Sequence, residues 1–589
     1  METNSHSNNN NKINYAIEYH EETKHSELSL QMSHHYLDFD NKPRPFKIYL
    51  DLPSIALPSD FPIPKADALT CIRSVMRLQK KKEKQKEETR QQPTIDIRVL
   101  AQLLFFSAGI TREMKFDSDI FYMRAASATG ALYPIELYVI SEDISGLSAG
   151  VYHFGPGDFS LTKLRGGDFR GKLAAMAGDN HDILTSPVTI AFTSLAWRNS
   201  WKYGARSYRH WFWDSGVIAA NLLAVAIAMG LRASLVMGFI DSMVNNLLLL
   251  EQRKEAAIVL APIIMSRSSS LAKISYDLPQ EPNLAVPVAE VPRILPISKK
   301  QEIEYSEIWK LHEASSLTSK EEVIGWLLHN RMKNNNFNQE EAMPNSLESK
   351  EEVQEEEEED LYHDDSSAQQ GINSLQAEDI VANRSIGNVI LRRGSSRRFS
   401  HSAISKNQLT TILYSSTRGV PLDFKKTVKD SLVDVYLIAN AVVGLAPGHY
   451  FYDQNANSLI QLKTKKESAS RDESGYLCLG QPLFSDASAV FFLMMDLGAT
   501  LKAFGNRGYR ASQFEAGVVA GKIYLASYAQ GLGASGSTFF DDAVTETFSP
   551  HAKDKATMIA VGVGIPPYRA HPGKILAARL TKSDLLSNW

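Results

Sequence analysis

Apolar and polar positions change rhythm along this chain in an order that occurs twice. Over residues 100–106 the apolar side chains fall at helical spacing, and the segment stops at Gly109, a residue suited to ending a helix. A turn-rich stretch, 127–134, then feeds a predicted strand over 135–140. A Gly-Pro-Gly turn at 155–157, a helix near 169–178 and a buried strand over 187–192 come next. The chain continues through the polar run 202–209 into a long apolar helix over 214–230. The same order returns with a helix over 404–416, strands over 433–438 and 449–452, and a buried strand over 490–496. A long helix over 511–530 and a closing strand over 556–563 complete it. Helices mixed with short strands in this way predict an α+β fold, helices packed over a mainly antiparallel sheet.

The recurrence extends to individual residues. Tyr208-Arg209, Gly216, Gly230-Leu231, Ala233-Ser234, Phe239 and Asp241 reappear as Tyr509-Arg510, Gly517, Gly531-Leu532, Ala534-Ser535, Phe540 and Asp542, all at an offset of 301. A constant offset across strand, loop and helix means one fold present twice, so the chain reads as a fused pseudo-dimer that is monomeric as a chain.

Length and composition agree with a globular protein: 589 residues with 43% hydrophobic content suffice for large cores. Cys71 and Cys478 are too few for a disulfide framework or a cysteine-ligated metal site, which favours a reducing compartment. His20, His25, His34 and His35 match no metal-site spacing. The polar N-terminus lacks the apolar core of a signal peptide, so a cytoplasmic location is expected. The apolar run 217–231 is shorter than a membrane span and reads as a buried helix.

Charge is unevenly spread. Residues 350–365 hold ten acids against one lysine, a net of −9, so the rest of the chain carries about +5 of the overall −4. Such a block stays solvated. The resulting organisation is a disordered 1–14, a first domain over 15–312, a disordered acidic tether over 313–372 and a second domain over 373–589. The lysine/glutamate insert at 80–88 has interleaved acids and no aromatics nearby, which argues against nucleic-acid binding.

The candidate chemistry is divided between the halves. Arg392, Arg393, Ser395, Ser396, Arg397 and Arg398 crowd a loop before a helix, and guanidinium forks with hydroxyls suit a phosphate dianion. An Arg/Ser cluster equally fits a kinase target or a surface patch. The first half has no such cluster at the corresponding place. It owns instead the glycine-containing loop from Ser127 to Pro134, which the second half lacks.

The runs RRGSSRRF, SATGALYP and KYGARSYR, with the helix leading to GFID or FFDD, resemble the nitroreductase superfamily, above all its SagB-type azoline (thiazoline/oxazoline) dehydrogenase branch. The N-terminal YHEETKH and LDFDNKPRPFKIYL are similar to that branch as well. The resemblance implies two tandem nitroreductase-like domains around FMN held at their interface. Arg392, Arg393, Ser395 and Arg397 then match the phosphate cluster, and Ser127, Thr129, Gly130 and Pro134 the loop against the flavin ring. Gly536, Ser537 and Thr538 match backbone amides near flavin N5, and Lys574 or Arg579 a basic residue reaching the phosphate. Lys202 and Tyr203 match the catalytic pair, where the second copy reads Ala503-Phe504. A surface lysine and a core tyrosine are the alternative reading of that pair.

Parts divided in this way make one composite FMN site per chain. The implied activity is a dehydrogenase or oxidase that passes hydride from a substrate carbon to N5, with Lys202 or Tyr203 handling the proton and oxygen reoxidising the flavin. The substrate would be a small molecule or a modified peptide. An NAD(P)H-dependent nitro or quinone reductase and a non-catalytic partner of a biosynthetic complex are the alternatives. No nucleic acid, membrane or metal is expected.

Overall fold

Nearly continuous apolar runs build two antiparallel sheets, one per half. The computed structural model describes residues 15–33, 35–74, 94–116, 119–265, 284–337, 384–425, 430–569 and 571–587. The N-terminal 1–14, the insert at 80–88 and the acidic block 350–365 lie outside the described residues. In the first half the strands Ser54–Ala56, Ser160–Gly166, Gly150–Gly155, Ile135–Ser141, Val188–Leu195, Glu255–Met265 and Leu231–Ala233 lie side by side in that order. In the second half the order is Ser458–Thr464, Gly448–Asp453, Asp434–Ala439, Ala489–Asp496, Lys555–Gly564 and Gly533–Ser537. The central strands are buried on both faces because short helices of the same half cover one side (Phe169, Leu173, Val244 and Leu247 in the first half) and the core around the long helices covers the other.

The halves meet along two long helices, Ser207–Ala228 and Leu497–Ala529. Gly216 and Gly517 sit where these helices cross. A Cβ on Gly216 would fall 2.5 Å from the Gly517 carbonyl carbon, and one on Gly517 would fall 2.6 Å from the Trp213 carbonyl oxygen. The repeated glycines are therefore the contact that lets the pseudo-dimer close. Trp213 Nε1 donates to Gln513 Oε1 across the seam (2.6 Å). Length and composition would let the helical stretch 196–228 cross a membrane, yet here it is core, 89% of its apolar window buried.

Buried ion pairs cross between the halves in matched fashion. Arg206 and Arg209 hold Asp541 (3.0 and 2.8 Å), and Arg507 and Arg510 hold Asp241 (2.6 and 2.8 Å). The partner of Asp241 in the repeat is thus Asp541, and Phe239 corresponds to Phe539. This corrects the expected pairing with Asp542 and Phe540, because one residue has dropped out after Ser535.

The repeat also begins earlier than its constant offset reveals. His20 Nδ1 contacts the Tyr509 hydroxyl (3.3 Å), and His312 Nδ1 contacts the Tyr208 hydroxyl (3.2 Å). Asp541 bonds the N–H and C=O of His25, and Asp241 does the same for Leu317. Residues 19–25 (YHEETKH) and 311–317 (LHEASSL) are therefore counterparts at an offset of 292. The expected tether is corrected accordingly. Helices Ser306–Ala314 and Lys320–Phe337 occupy its start, and Val323 and Trp326 are buried there, Val323 beside Gly178 of the first half and Trp326 against Phe424 and Phe504 of the second.

Candidate active site

The arginine loop comes after the helix Ile386–Arg392, which Ser385 caps by accepting from the Asn388 N–H (3.4 Å). The chain turns extended at Arg393, and the Ser396 N–H is fixed to the Ala534 carbonyl (2.9 Å). The buried Arg393 guanidinium crosses into the first half and donates to the carbonyls of Arg124 (2.9 Å) and Ala125 (3.0 Å), just before Ser127. Arg112 reaches the other way, from the hairpin of strands Ile110–Phe116 and Asp119–Arg124, to the carbonyls of Leu391, Arg392 and Arg393 (2.8, 2.9 and 2.8 Å). The C-terminal tail threads between them. Gly573 N–H donates to the Leu391 carbonyl (2.7 Å) and Lys574 N–H to the Thr111 carbonyl (2.8 Å).

The outcome is a patch of positive charge without counterions. Among the described residues, Arg384, Arg392, Arg397, Arg398, Arg569 and Lys574 make no ion pair. Burial, then the neighbouring Arg392 and Arg569, lower the pKa of Arg384, and burial with Arg393 does the same to Arg112. A multiply charged anion would offset the repulsion among guanidiniums clustered in this way. Arg579 is not part of this patch: its Nε is 3.1 Å from Glu113, so of the two expected tail residues only Lys574 stands free beside the loop. The Ser395 hydroxyl lies 3.3 Å from that of Tyr524, which also accepts the Gly536 N–H (2.5 Å).

Opposite lies the glycine turn of the first half. Gly130 has φ +62°, and a Cβ there would fall 2.6 Å from the Tyr203 hydroxyl, so backbone conformation and space both require glycine. Thr129 donates its N–H to both Asp214 carboxylate oxygens (2.9 and 3.1 Å) and its hydroxyl to one of them (2.8 Å). Thr129, expected beside the flavin ring, is thereby anchored on Asp214. The Ser127 hydroxyl has no hydrogen bond among the described residues, and it lines a small cavity with Arg124, Tyr133, Pro134, Asp214 and Ile218. The Pro134 carbonyl accepts from Leu195 N–H (2.9 Å), fixing the exit of the turn to the sheet.

Tyr203 closes the helix Ala196–Tyr203 and packs edge-on against His210 (ring centres 4.6 Å apart). Burial, with the nearby Asp214 carboxylate, raises the Tyr203 hydroxyl pKa well above its ordinary value, so it stays protonated at neutral pH. Lys202 is exposed, its Nζ 5.4 Å from the Tyr203 ring centre. Thr538 Oγ1 contacts His25 Nδ1 (3.2 Å). Burial and then Arg206 push His25 down to about 3, which keeps it neutral. The Ser537 hydroxyl accepts from Gln481 Nε2 (2.8 Å).

The mirror-image location is filled by protein. Asp423 accepts the N–H groups of Met237 (2.9 Å) and Gly238 (2.8 Å), the counterparts of Ser537 and Thr538. Trp326 packs against Phe424 and Phe504 (ring centres 5.4 and 5.8 Å away), and Phe504 is the counterpart of Tyr203. Lys522 Nζ, deeply buried, is tied to the carbonyls of Arg418 and Gly419 (both 2.6 Å). The second half does possess a loop anchored like the glycine turn, since Ser431 and Leu432 donate to Glu515. That corrects the expectation of no counterpart. It lacks the glycine and the proline.

Sequence reasoning missed Asp214, Arg112 and His25 as site neighbours. Asp214 is one acid in an apolar helix, and that was its available signal. Arg112 sits in a hairpin without a counterpart among the described residues of the second half, and His25 belongs to the repeat segment that the change of offset conceals.

Two sheets closed around a crossed helix pair, with one cation-rich loop of one half laced to the segment before a glycine turn of the other, define a duplicated α+β protein. The nitroreductase family model matches residues 89–263 and 390–565, more than half of the chain, and the chain belongs to that family of oxidoreductases, carrying its domain in tandem. A protein of Methanocaldococcus jannaschii provisionally named a nitroreductase is 27% identical over 169 residues, 29% of this chain and 80% of that protein. The microcin B17-processing protein McbC of Escherichia coli is 28% identical over 135 residues, 22% of this chain and half of McbC. A crystal structure from Anabaena variabilis, also provisionally a nitroreductase, shares the fold over 94% of this chain and 99% of that one, with a TM-score of 0.65 and 24% identity.

Proposed function

We propose that the protein is an FMN-dependent dehydrogenase or oxidase of the SagB type, with one cofactor site made by both halves. The observation that carries this is the lacing of the counterion-free arginine loop to the segment leading into Ser127, through Arg393 and Arg112. Arg392, Arg397 and Lys574 would hold the phosphate, Ser127, Gly130 and Pro134 would border the ring, and Ser537 and Thr538 would offer the amides that Asp423 covers in the other copy. When bound, FMN supplies a two-electron acceptor for a hydride leaving a substrate carbon.

The chain's own groups supply the rest. Tyr203 holds a proton on its hydroxyl at neutral pH and stands against the turn, suited to donate or relay it. Lys202, exposed beside it, serves as the solvent-side proton carrier. The half-buried Tyr203 ring, packed edge-on against the buried His210, narrows the access of bulk water from that side. The likeness to McbC, named for processing microcin B17, supports a modified peptide as substrate, and a small molecule is the other substrate class.

The absorption spectrum of the purified protein and identification of the released cofactor test this reading. FMN retained through purification and slow to bleach with NAD(P)H supports it. Rapid bleaching by NAD(P)H alone would mark a nitro- or quinone-type reductase. Colourless protein that takes up no added FMN would indicate a non-catalytic partner.

A further inference from the structure

The two long helices carry an acid at the same height, Asp214 in the first copy and Glu515 in the second, at the 301-residue offset. Both anchor the loop above them. Glu515 takes the Ser431 hydroxyl (2.8 Å) and Leu432 N–H (2.9 Å), and Asp214 takes the N–H and hydroxyl of Thr129. They differ in charge compensation. Glu515 is paired with Lys425 at 2.5 Å, whereas Asp214 makes no ion pair among the described residues. Its only other polar contact among them is Asn199 Nδ2 (3.4 Å).

The ionisable groups around Asp214 are few. Tyr203 ends the preceding helix, His210 lies one turn earlier on the same helix, and Arg124 and Tyr133 line the same cavity. Arg124 is engaged on the Pro45 carbonyl (2.6 Å), and burial, then Arg206, keep His210 neutral. Burial with no cation raises the Asp214 carboxyl to about 7, against the pull of its hydrogen bonds from Thr129 and Asn199.

We propose that Asp214 is a positioning residue of the redox site, holding the Thr129–Gly130 turn against Tyr203 and setting the charge beneath it, a charge that the plugged copy has neutralised. This rests on the FMN reading above. A negative charge buried under the turn disfavours adding electrons to a flavin beside it, because the interior screens it poorly.

The test is the midpoint potential of the bound flavin, compared at each pH between about 5.5 and 8.5, the range over which a carboxyl titrating near 7 changes charge. Asp214→Asn keeps an acceptor for Thr129 but carries no charge. Its potential should coincide with that of the unmodified protein at the acid end and rise above it at the alkaline end. Asp214→Glu and Thr129→Val, which both keep a carboxyl, should retain the original pH dependence even where the turn has shifted. A difference constant across pH, or no difference, overturns the proposal, and so does a Thr129→Val protein that has lost the pH dependence. Protein that binds no flavin defeats the FMN reading, and this inference with it, at the spectrum and before any potential is measured.

Discussion

Replacing Arg393 with alanine should loosen the seam on which the composite site depends. Its guanidinium makes two charge-assisted bonds, to the carbonyls of Arg124 and Ala125. The losses are unequal. The Ala125 carbonyl keeps the Asn221 amide (3.1 Å), while the Arg124 carbonyl retains no other hydrogen bond among the described residues. One bond of about 1.5–3 kcal/mol is lost outright and the other is partly compensated, giving a total of about 2–4 kcal/mol. If that energy serves to close the two halves on the cofactor, FMN affinity falls roughly thirty- to a thousandfold. Fluorescence titration of apoprotein with FMN measures it. Arg393→Lys should recover only part, since an ammonium cannot reproduce the fork. An alanine variant with FMN affinity within about threefold of the parent, a difference of less than about 0.7 kcal/mol, would refute the reasoning.

Asp541→Asn should cost about 3–5 kcal/mol, because it strands the buried Arg206 and Arg209 guanidiniums. Burial works to raise the Asp541 pKa, but the two arginines overcome it and hold the group well below the usual carboxylate range. Its stabilisation is therefore complete above the ordinary carboxylate pKa near 4 and lost as pH falls below it; acid unfolding of the parent should show this component and the Asn variant should not. Lys522 is driven down to about 7 by burial and Lys425, so the unfolded chain binds the extra proton between about pH 7 and 10.5, and stability from this group grows with pH across that window. Denaturant midpoints of Lys522→Met should lack that rise. Lys202→Ala should keep its flavin and lose turnover, whereas Lys502→Ala, beside the plugged location, should lose neither. Equal loss at both lysines would remove Lys202 from the proton path.

The fold was legible because its signals are local and duplicated. Buried apolar strands, two buried helices and the crossing glycines Gly216 and Gly517 survive in both copies, since changing either glycine would push the helices apart. The arginine loop and the glycine-bearing turn stood out in the sequence for the complementary reason, each being present once. Less visible were the partners that tertiary contact supplies. Nothing in the pattern says that the Thr129 hydroxyl is spent on Asp214, or that Arg579 folds back on Glu113. The N-terminal repeat 19–25 escaped notice because insertions shift its offset from 301 to 292 and because His25 became Leu317. The helix at 320–337 was hidden by the acidic tract downstream of it, although Val323 and Trp326 are its buried apolar positions and Trp326 packs into the mirror-image location.

Occupancy tests the central claim most directly. One copy of the site is laced together around counterion-free arginines, and the other is filled by Trp326, Asp423 and Lys522. Released flavin quantified against protein should give a ratio near one per chain after saturation with FMN. A ratio near two would show that the plugged location binds flavin after all and would contradict the account.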